Sequence, residues 1–516
     1  MTRSRRPTRP PWFLILGIAL LASATCSSKA TAEETLAGLE GYVTKAMSEW
    51  EVPGLAIAVV KDDKVVLASG YGVRKLGEDT PVDADTLFAI GSSSKAFTAA
   101  CLAMLVDEGK IDWDDAVIDH LPDLQLHDPY ATRELTVRDL LCHRCGLSRG
   151  DQLWYATEYD RAEILRRLRY LEPSWSFRSQ FGYQNIMYLA AGQVAGHVAS
   201  QDWDDLVKKR LFLPLGMTTA CTSVTELEAR TNVATPHVKI DDKVEVVAWR
   251  NIDNIAPAGS IIASVNEMAQ WLRLQLGRGQ VDGRRLISQE AIDQMHTAHT
   301  VIALTDDTRR FYPDAHLAAY GLGWFLHDYH GHKIVQHGGA IDGMRAQVAL
   351  LPDENIGLVV LCNRGGSGLP GPLMIYIFDR LLGRDERDWS SERLAQFKEY
   401  ETEAEARESE EAAKRAKDTK PSLPLEQYAG AYVQELYGTA EIRHEDGKLV
   451  LDRGPALTAD LEHWHYDTFQ ATFRDRVLGD MLITFRLDGS GKVAAVDVPG
   501  LGEFTRKANG NGEPKQ

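Results

Sequence analysis

Cysteine is scarce in this chain. Six cysteines in 516 residues are too few for a disulfide framework to stand in for a hydrophobic core. Cys142-His143-Arg144-Cys145 has C-x-x-C spacing, but neither a second such pair nor a ligand pair with zinc spacing accompanies it. The segment reads as a local disulfide or two separate thiols rather than a metal centre. Basic clusters are absent beyond the N-terminus and the formal net charge is -17, which argues against a nucleic-acid partner. The apolar run Trp12 to Ala24 is short of the ~20 residues a membrane-spanning helix needs.

What the N-terminus does hold is a targeting segment. Arg3, Arg5, Arg6 and Arg9 precede that apolar run, and Ala30-Thr31-Ala32 follows it as an A-x-A cleavage site. The expectation is a signal peptide over residues 1–32 and export to the periplasm or the cell exterior. The alternative is a membrane-attached lipoprotein acylated at Cys26, although Ser23-Ala24-Thr25 is a poor lipobox. Arg5-Arg6 is followed by Pro7-Thr8, where a twin-arginine signal wants a bulky apolar pair.

The length calls for two or more domains. Helical spacing of Leu36, Leu39, Val43, Ala46 and Trp50 ends at Pro53-Gly54. Leu55–Val60 and Val65–Ser69 then read as a hairpin about Lys61-Asp62-Asp63-Lys64. Helices are expected over residues 135–141 and 187–198, and from Pro257-Ala258-Gly259-Ser260 into Met268–Leu276. Strands at 323–326, 333–337, 346–351 and 356–361 have short connections, which predicts an antiparallel meander. His327, His330 and His332 flank its first turn without an adjacent carboxylate pair, so they read as turn residues. Residues 33–383 thus form one domain, and residues 384–421 turn to alanine and mixed charge, an exposed linker helix ended by Pro421. Short alternating runs over 422–507 make a small all-β domain, and the Gly/Asn-rich tail 508–516 is expected to be disordered.

The chemistry centres on Ser92-Ser93-Ser94-Lys95, where a loop after Gly91 becomes an apolar helix. Three residues are close to one helical turn, so the Ser92 hydroxyl and the Lys95 amine share a face. A serine must lose its proton to attack a carbonyl, and a desolvated lysine can take it or hold a partner base ready. Tyr183-Gln184-Asn185 stands on a later loop. Tyrosine is a poor base at its free pKa of ~10, but a lysine cation would stabilise its phenolate. Asn185 suits hydrogen bonding to a substrate amide. Gln336-His337-Gly338-Gly339-Ala340 ends a strand with two glycines. Such an edge can lie against an extended substrate and offer backbone N–H groups as an oxyanion hole.

The order Ser-x-x-Lys, Tyr-x-Asn, then a basic residue with glycine resembles the penicillin-recognising serine hydrolases. Tyr-x-Asn points to their class C β-lactamase-related branch, which includes D-Ala-D-Ala carboxypeptidases, D-aminopeptidases and carboxylesterases. The resemblance runs over about residues 36–383, through Leu140-Leu141-Cys142-His143, Pro214-Leu215-Gly216-Met217 and Tyr320-Gly321-Leu322-Gly323-Trp324. It implies an α/β (α+β) fold, an antiparallel sheet flanked by helices, with a lipocalin-like β module appended. It implies further that Ser92 attacks, that Tyr183 with Lys95 takes the proton, and that the Ser92 and Ala340 N–H groups hold the oxyanion. Asn185, His337, Gly338 and Gly339 would bind substrate, and neither metal nor cofactor is called for. The departure is His337-Gly338-Gly339 where β-lactamases carry Lys-Thr-Gly. Losing that charge and hydroxyl favours an ester, amide or D-amino-acid peptide over a β-lactam or a peptide carboxylate as substrate. A slowly acylating sensor is the reading from a different functional class.

Overall fold

The computed structural model describes residues 31–507. The residues before Thr31, with Cys26 among them, and the tail 508–516 lie outside the described residues. The N-terminal hairpin is present as β1 (Gly54–Lys61) and β2 (Lys64–Gly72). Leu55–Val60 reads as one apolar run because both its faces are buried. Ala56, Ala58 and Val60 pack into one core, and Leu55, Ile57 and Val59 into a second. Alternate residues of a strand point to opposite faces, so a continuous run marks a sheet covered on both sides.

The remaining strands of this sheet come late in the chain. They are β3 (Thr300–Ile302), β4 (Ala318–Tyr320), β5 (Phe325–Tyr329), β6 (His332–Ile341), β7 (Met344–Leu351) and β8 (Ile356–Cys362). The spatial order is β2-β1-β8-β7-β6-β5-β4-β3, with every neighbouring pair antiparallel. The meander expected from sequence is therefore right. The strand placed at 323–326 begins later, at Phe325. Gly323 has φ +84° and a Cβ there would stand 2.8 Å from Ala96 Cα, so Gly321–Trp324 wraps as a loop over the Lys95–Ala96 backbone instead.

Helix α1 (Leu39–Glu49) and a later helix over Pro370–Leu381 cover the second core. On the other face α2 (Lys95–Asp107) is buried on all sides from Lys95 to Leu105, which is why its sequence shows no polar stripe. It packs on α3 (Asn185–Ala199), which in turn meets the turn Ala256–Gly259. A Cβ at Gly192 of α3 would lie 2.2 Å from Pro257 Cγ. The 257–260 segment does not lead into the next helix. It forms its own turn, Ile262–Ala263 then pairs with Phe88–Ala89, and α4 (Val265–Leu276) starts at a Ser264–Glu267 capping box. Helix α5 is Pro370–Leu381.

The charged segment forms α6 (Trp389–Ala413), ending short of Pro421. Its first turns are anchored: Trp50 Nε1 donates to Ser390 Oγ at 3.0 Å and Trp389 Nε1 to buried Asp379 at 2.8 Å. The all-β part closes into an eight-stranded barrel. Its strands are β9 (Gly430–Gln434), β10 (Gly438–Glu445), β11 (Lys448–Asp452), β12 (Thr458–His465), β13 (Thr468–Phe473), β14 (Asp480–Leu487), β15 (Val493–Val498) and β16 (Gly502–Arg506). Pairing of Tyr432 with Arg506 closes it, and Tyr428, Tyr432, Phe469 and Phe485 pack against one another inside. Closure leaves no sheet edge to protect. Strands β13 and β16 have no counterpart in the sequence reading.

The barrel sits on the sheet domain through Arg250, which bonds Asp342 at 2.7 Å and Asp475 of the barrel at 2.5 Å. Arg476 adds bonds to Asp241 and Glu245, both at 2.8 Å, and Tyr159 donates to Tyr437 O at 3.1 Å. Removing the shared cation leaves two carboxylates facing one another in a partly buried place, at a cost on the order of 3 kcal/mol. Arg250→Met is therefore expected to lower the midpoint of thermal unfolding and to hasten proteolysis between the two parts. Unchanged melting and digestion would show that this ion cluster does not hold the barrel.

Candidate active site

Ser92 lies in the turn Gly91–Ser94, which runs directly into α2. Gly91 adopts φ +51°, and a Cβ there would stand 2.5 Å from Ala340 N. A Cβ at Gly339 would stand 1.8 Å from Ile90 O. The end of β6 thus rests on the serine turn at a distance only glycines permit. Ser93 Oγ donates to His337 O at 3.0 Å and fastens the two. Strand β5 stops pairing at Phe325, opposite Gln336, so residues 337–341 keep a free backbone edge beside Ser92. The sequence motifs are brought together, and Ala340 is exposed at that edge.

Lys95 is 0 % exposed. Its Nζ lies 3.0 Å from Ser92 Oγ and donates to Ala258 O at 2.7 Å. Burial holds its pKa well below the usual lysine range, with Asp151 opposing and Arg149 reinforcing the shift. The Tyr183 ring centre is 5.0 Å from Lys95 Nζ. Burial pushes the Tyr183 hydroxyl above the usual tyrosine range, against a hydrogen bond with Ser92 and the Arg149 charge. The sequence suggested a lysine cation beside a phenolate. The environment favours a neutral amine beside a neutral phenol, because desolvation penalises both charges.

His337 is 2 % exposed, and burial lowers its pKa to about 3. In the neutral ring Nδ1–H donates to Gly338 O at 2.6 Å, which leaves Nε2 to accept from the Tyr320 hydroxyl at 2.9 Å. This strand accordingly offers the cleft no cation. Asn185 starts α3 and its amide donates to Asp151 Oδ1 at 2.8 Å. Asp151 also accepts from Trp154 Nε1 at 2.9 Å and from Arg149 Nε at 2.6 Å.

Arg149 and Asp151 were not singled out from sequence, and neither was His143 as a positioning residue. The His143 carbonyl accepts from Gly182 N–H at 2.8 Å and its Nδ1 from Gln184 N–H at 3.1 Å. Its ring lies 4.3 Å from that of Tyr183. Both neighbours of Tyr183 are therefore fixed by one buried residue, Gly182 through its carbonyl and Gln184 through its ring. Cys142 and Cys145 beside it are separate buried thiols, whose pKa values burial raises to about 11 and about 12. His327, His330 and His332 go their own ways: His327 packs on Tyr312, His330 faces Asp314 and His332 faces Glu354. Among the described residues no group of three or more His, Cys, Asp or Glu side chains could hold a metal ion.

The cleft over Ser92 has a volume of about 1090 Å³, with Trp154, Tyr155, Phe181 and Phe325 among its walls. Val477 of the barrel also lines it. The appended domain thus contributes to the rim of the site.

The family described as beta-lactamase matches residues 39–376, and a domain of unknown function, DUF3471, matches residues 414–510. The chain is 30% identical over 477 residues to the unguisins hydrolase ungD of Aspergillus violaceofuscus, an alignment covering 84% of this chain and 82% of that protein. It is 28% identical over 343 residues to penicillin-binding protein 4 of Amycolatopsis lactamdurans, covering 65% and 86%. Among solved structures, the octameric penicillin-binding protein homologue from Pyrococcus abyssi superposes with a TM-score of 0.61 at 23% identity, covering 91% of this chain and 99% of that one. A D-stereospecific amidohydrolase from Streptomyces sp. gives a TM-score of 0.54 at 22% identity, covering 66% and 98%.

The buried imidazoles make acid sensitivity testable. Burial lowers His337 and His296 to about 3 and His327 to about 4, against ~6.5 in the unfolded chain. Below pH 6.5 the unfolded chain binds protons that the folded chain refuses. Stability is therefore full above 6.5 and falls as pH drops toward the folded values. At pH 5 the loss is on the order of 2 kcal/mol for each such ring. Urea unfolding is expected to show clearly lower stability at pH 5 than at pH 7. Equal values would mean that these rings are not held neutral.

Proposed function

The chain belongs to the beta-lactamase family, and as a member of it, we propose, it is an exported hydrolase that works through an acyl-enzyme on Ser92. The observation that carries this reading is the fully buried Lys95 amine 3.0 Å from Ser92 Oγ. A neutral amine has a lone pair for the serine proton, which an ammonium lacks. Ser92 Oγ forms a bond to the substrate carbonyl carbon as its proton passes to Lys95 Nζ. The Ser92 and Ala340 backbone N–H groups receive the carbonyl oxygen as it becomes an oxyanion. Collapse breaks the bond to the leaving group, which takes a proton from the Tyr183 hydroxyl, and Tyr183 is reprotonated from Lys95. Water then attacks the acyl-enzyme by the same route, releases the acid and restores Ser92.

The substrate class we propose is an ester, an amide or a peptide containing a D-amino acid. A cleft of about 1090 Å³ with aromatic walls suits a ligand larger than a simple ester, and the similar Aspergillus protein is named a hydrolase of unguisins. The neutral, buried His337 supports this order over the second reading, a β-lactamase or D-Ala-D-Ala carboxypeptidase that grips a carboxylate from β6. Export rests on the signal-peptide reading of residues 1–32, which N-terminal sequencing of protein recovered outside the cytoplasm would check.

A fluorophosphonate probe is expected to label wild-type protein at Ser92, and p-nitrophenyl esters or D-amino-acid anilides to turn over. Ser92→Ala should abolish both, and Lys95→Arg, which stays protonated, should cost 10³-fold or more. The rate should rise with pH through a transition well below the usual lysine range, as the Lys95 amine loses its proton. Tyr183→Phe should slow turnover of amides, whose poor leaving group needs a proton, more than that of nitrophenyl esters. Absence of labelling together with no turnover of esters, anilides or a chromogenic cephalosporin would sink the hydrolase reading.

A further inference from the structure

Tyr183 is ringed by groups able to carry charge, and burial neutralises most of them. Lys95 Nζ lies 5.0 Å from its ring centre, the His143 ring 4.3 Å and the His337 ring 6.2 Å. Burial disfavours the charged form of all three. It also keeps the neighbouring Tyr188 and Tyr320 phenols protonated. Among the described residues Arg149 is the one permanent cation beside this ring. Its guanidinium carbon lies 5.2 Å from the ring centre, a distance at which a cation and an aromatic face attract.

The guanidinium is held in place by Asp151. Arg149 Nε donates to Asp151 Oδ2 at 2.6 Å, while Asp151 Oδ1 accepts from Trp154 Nε1 at 2.9 Å and from Asn185 Nδ2 at 2.8 Å. An exposed ion pair contributes little by itself, but this carboxylate is anchored to α3 through Asn185. The pair is also oriented. Asp151 acts on Lys95 more strongly than Arg149 does, and on Tyr183 the order is reversed. Its anionic end therefore serves the amine and its cationic end the phenol. Arg149 and Asp151 both line the cleft, so a bound substrate displaces water from the pair and strengthens its field.

We propose that Arg149, held by Asp151, is a positioning residue that acts through Tyr183 and sets how readily the leaving group is protonated. The inference rests on the acyl-enzyme reading. As the tetrahedral intermediate collapses, the bond from the carbonyl carbon to the leaving-group nitrogen breaks, and that nitrogen takes the Tyr183 proton. Lys95 then carries the proton it took from Ser92, and Tyr183 holds a negative charge. A cation at the phenol and an anion toward the amine stabilise this state until Lys95 returns a proton to Tyr183. The resting site has both groups neutral and offers the pair little to act on, so the stabilisation falls on the reacting state. Amides and peptides, whose departing amines need a proton, benefit more than esters of acidic alcohols. The ion pair thus inclines the site toward C–N bonds.

The hold of Arg149 on Tyr183 can be read without turnover. In the full chain carrying Ser92→Ala, a fluorotyrosine placed at position 183 is titrated by fluorine NMR. Arg149→Gln is expected to raise its midpoint by about half a pH unit or more, and Arg149→Lys by less. With Ser92 and Tyr183 intact, Arg149→Gln should slow a D-alanine anilide about tenfold more than p-nitrophenyl acetate, a split that general damage to the fold would not produce. In a Tyr183→Phe background the split should vanish. An unmoved midpoint, equal slowing of anilide and ester, or a split that survives Tyr183→Phe overturns the proposal. Fluorophosphonate labelling keeps the two readings apart. Labelled wild type beside an unmoved midpoint removes the role of Arg149 alone, whereas unlabelled wild type beside a moved midpoint removes the hydrolase and leaves the contact of Arg149 with Tyr183 standing.

Discussion

A primary amine taken wholly out of water governs this molecule. Lys95 has a serine oxygen at 3.0 Å and the Ala258 carbonyl at 2.7 Å, with no carboxylate among the described residues in direct contact. Keeping an ammonium there would require a buried counter-ion, and the fold does not provide one at bonding distance. The surroundings follow from that. Helix α2 is apolar on every side, α3 closes over it with a glycine where Pro257 presses in, and the 256–259 turn aims its carbonyls at Thr98 and Lys95. The end of β6 must then be laid directly on the serine turn, which Gly91 and Gly339 allow.

The parts of the site closest in sequence were the easiest to read. Ser92 and Lys95 are one helical turn apart, so local geometry joins them. Tyr183, Asn185 and the His337–Ala340 edge came through their order along the chain and the resemblance it carries. Protonation states were not legible, because the desolvation of Lys95 comes from segments far off in the chain, Tyr183 to Tyr188 and the 256–259 turn. His143 looked like part of a cysteine pair, since its contacts to Gly182 and Gln184 exist only in the folded loop.

The same contrast holds for the fold. The meander from β5 to β8 has short turns and was visible, as was the hairpin β1–β2. The pairing of β1 with β8 and of β9 with β16 left no local trace, since each is a contact between segments far apart in the chain. The barrel strands β13 and β16 were missed because half their residues are polar and outward-facing. Nothing in the barrel sequence marked Val477 as part of a cleft belonging to the other domain. It gets there through the Arg250 cluster, whose three members come from three separate stretches.

The seam between β1 and β8 has a consequence in time as well as in space. Leu55 has as its partner Cys362, so the first hairpin stays at an open sheet edge until most of the chain has been synthesised. Contacts of such long range are slow to form. A chain built this way holds no finished core while its N-terminus is already outside the ribosome. That delay leaves Lys95 an ordinary solvated ammonium until the segments that bury it are in place.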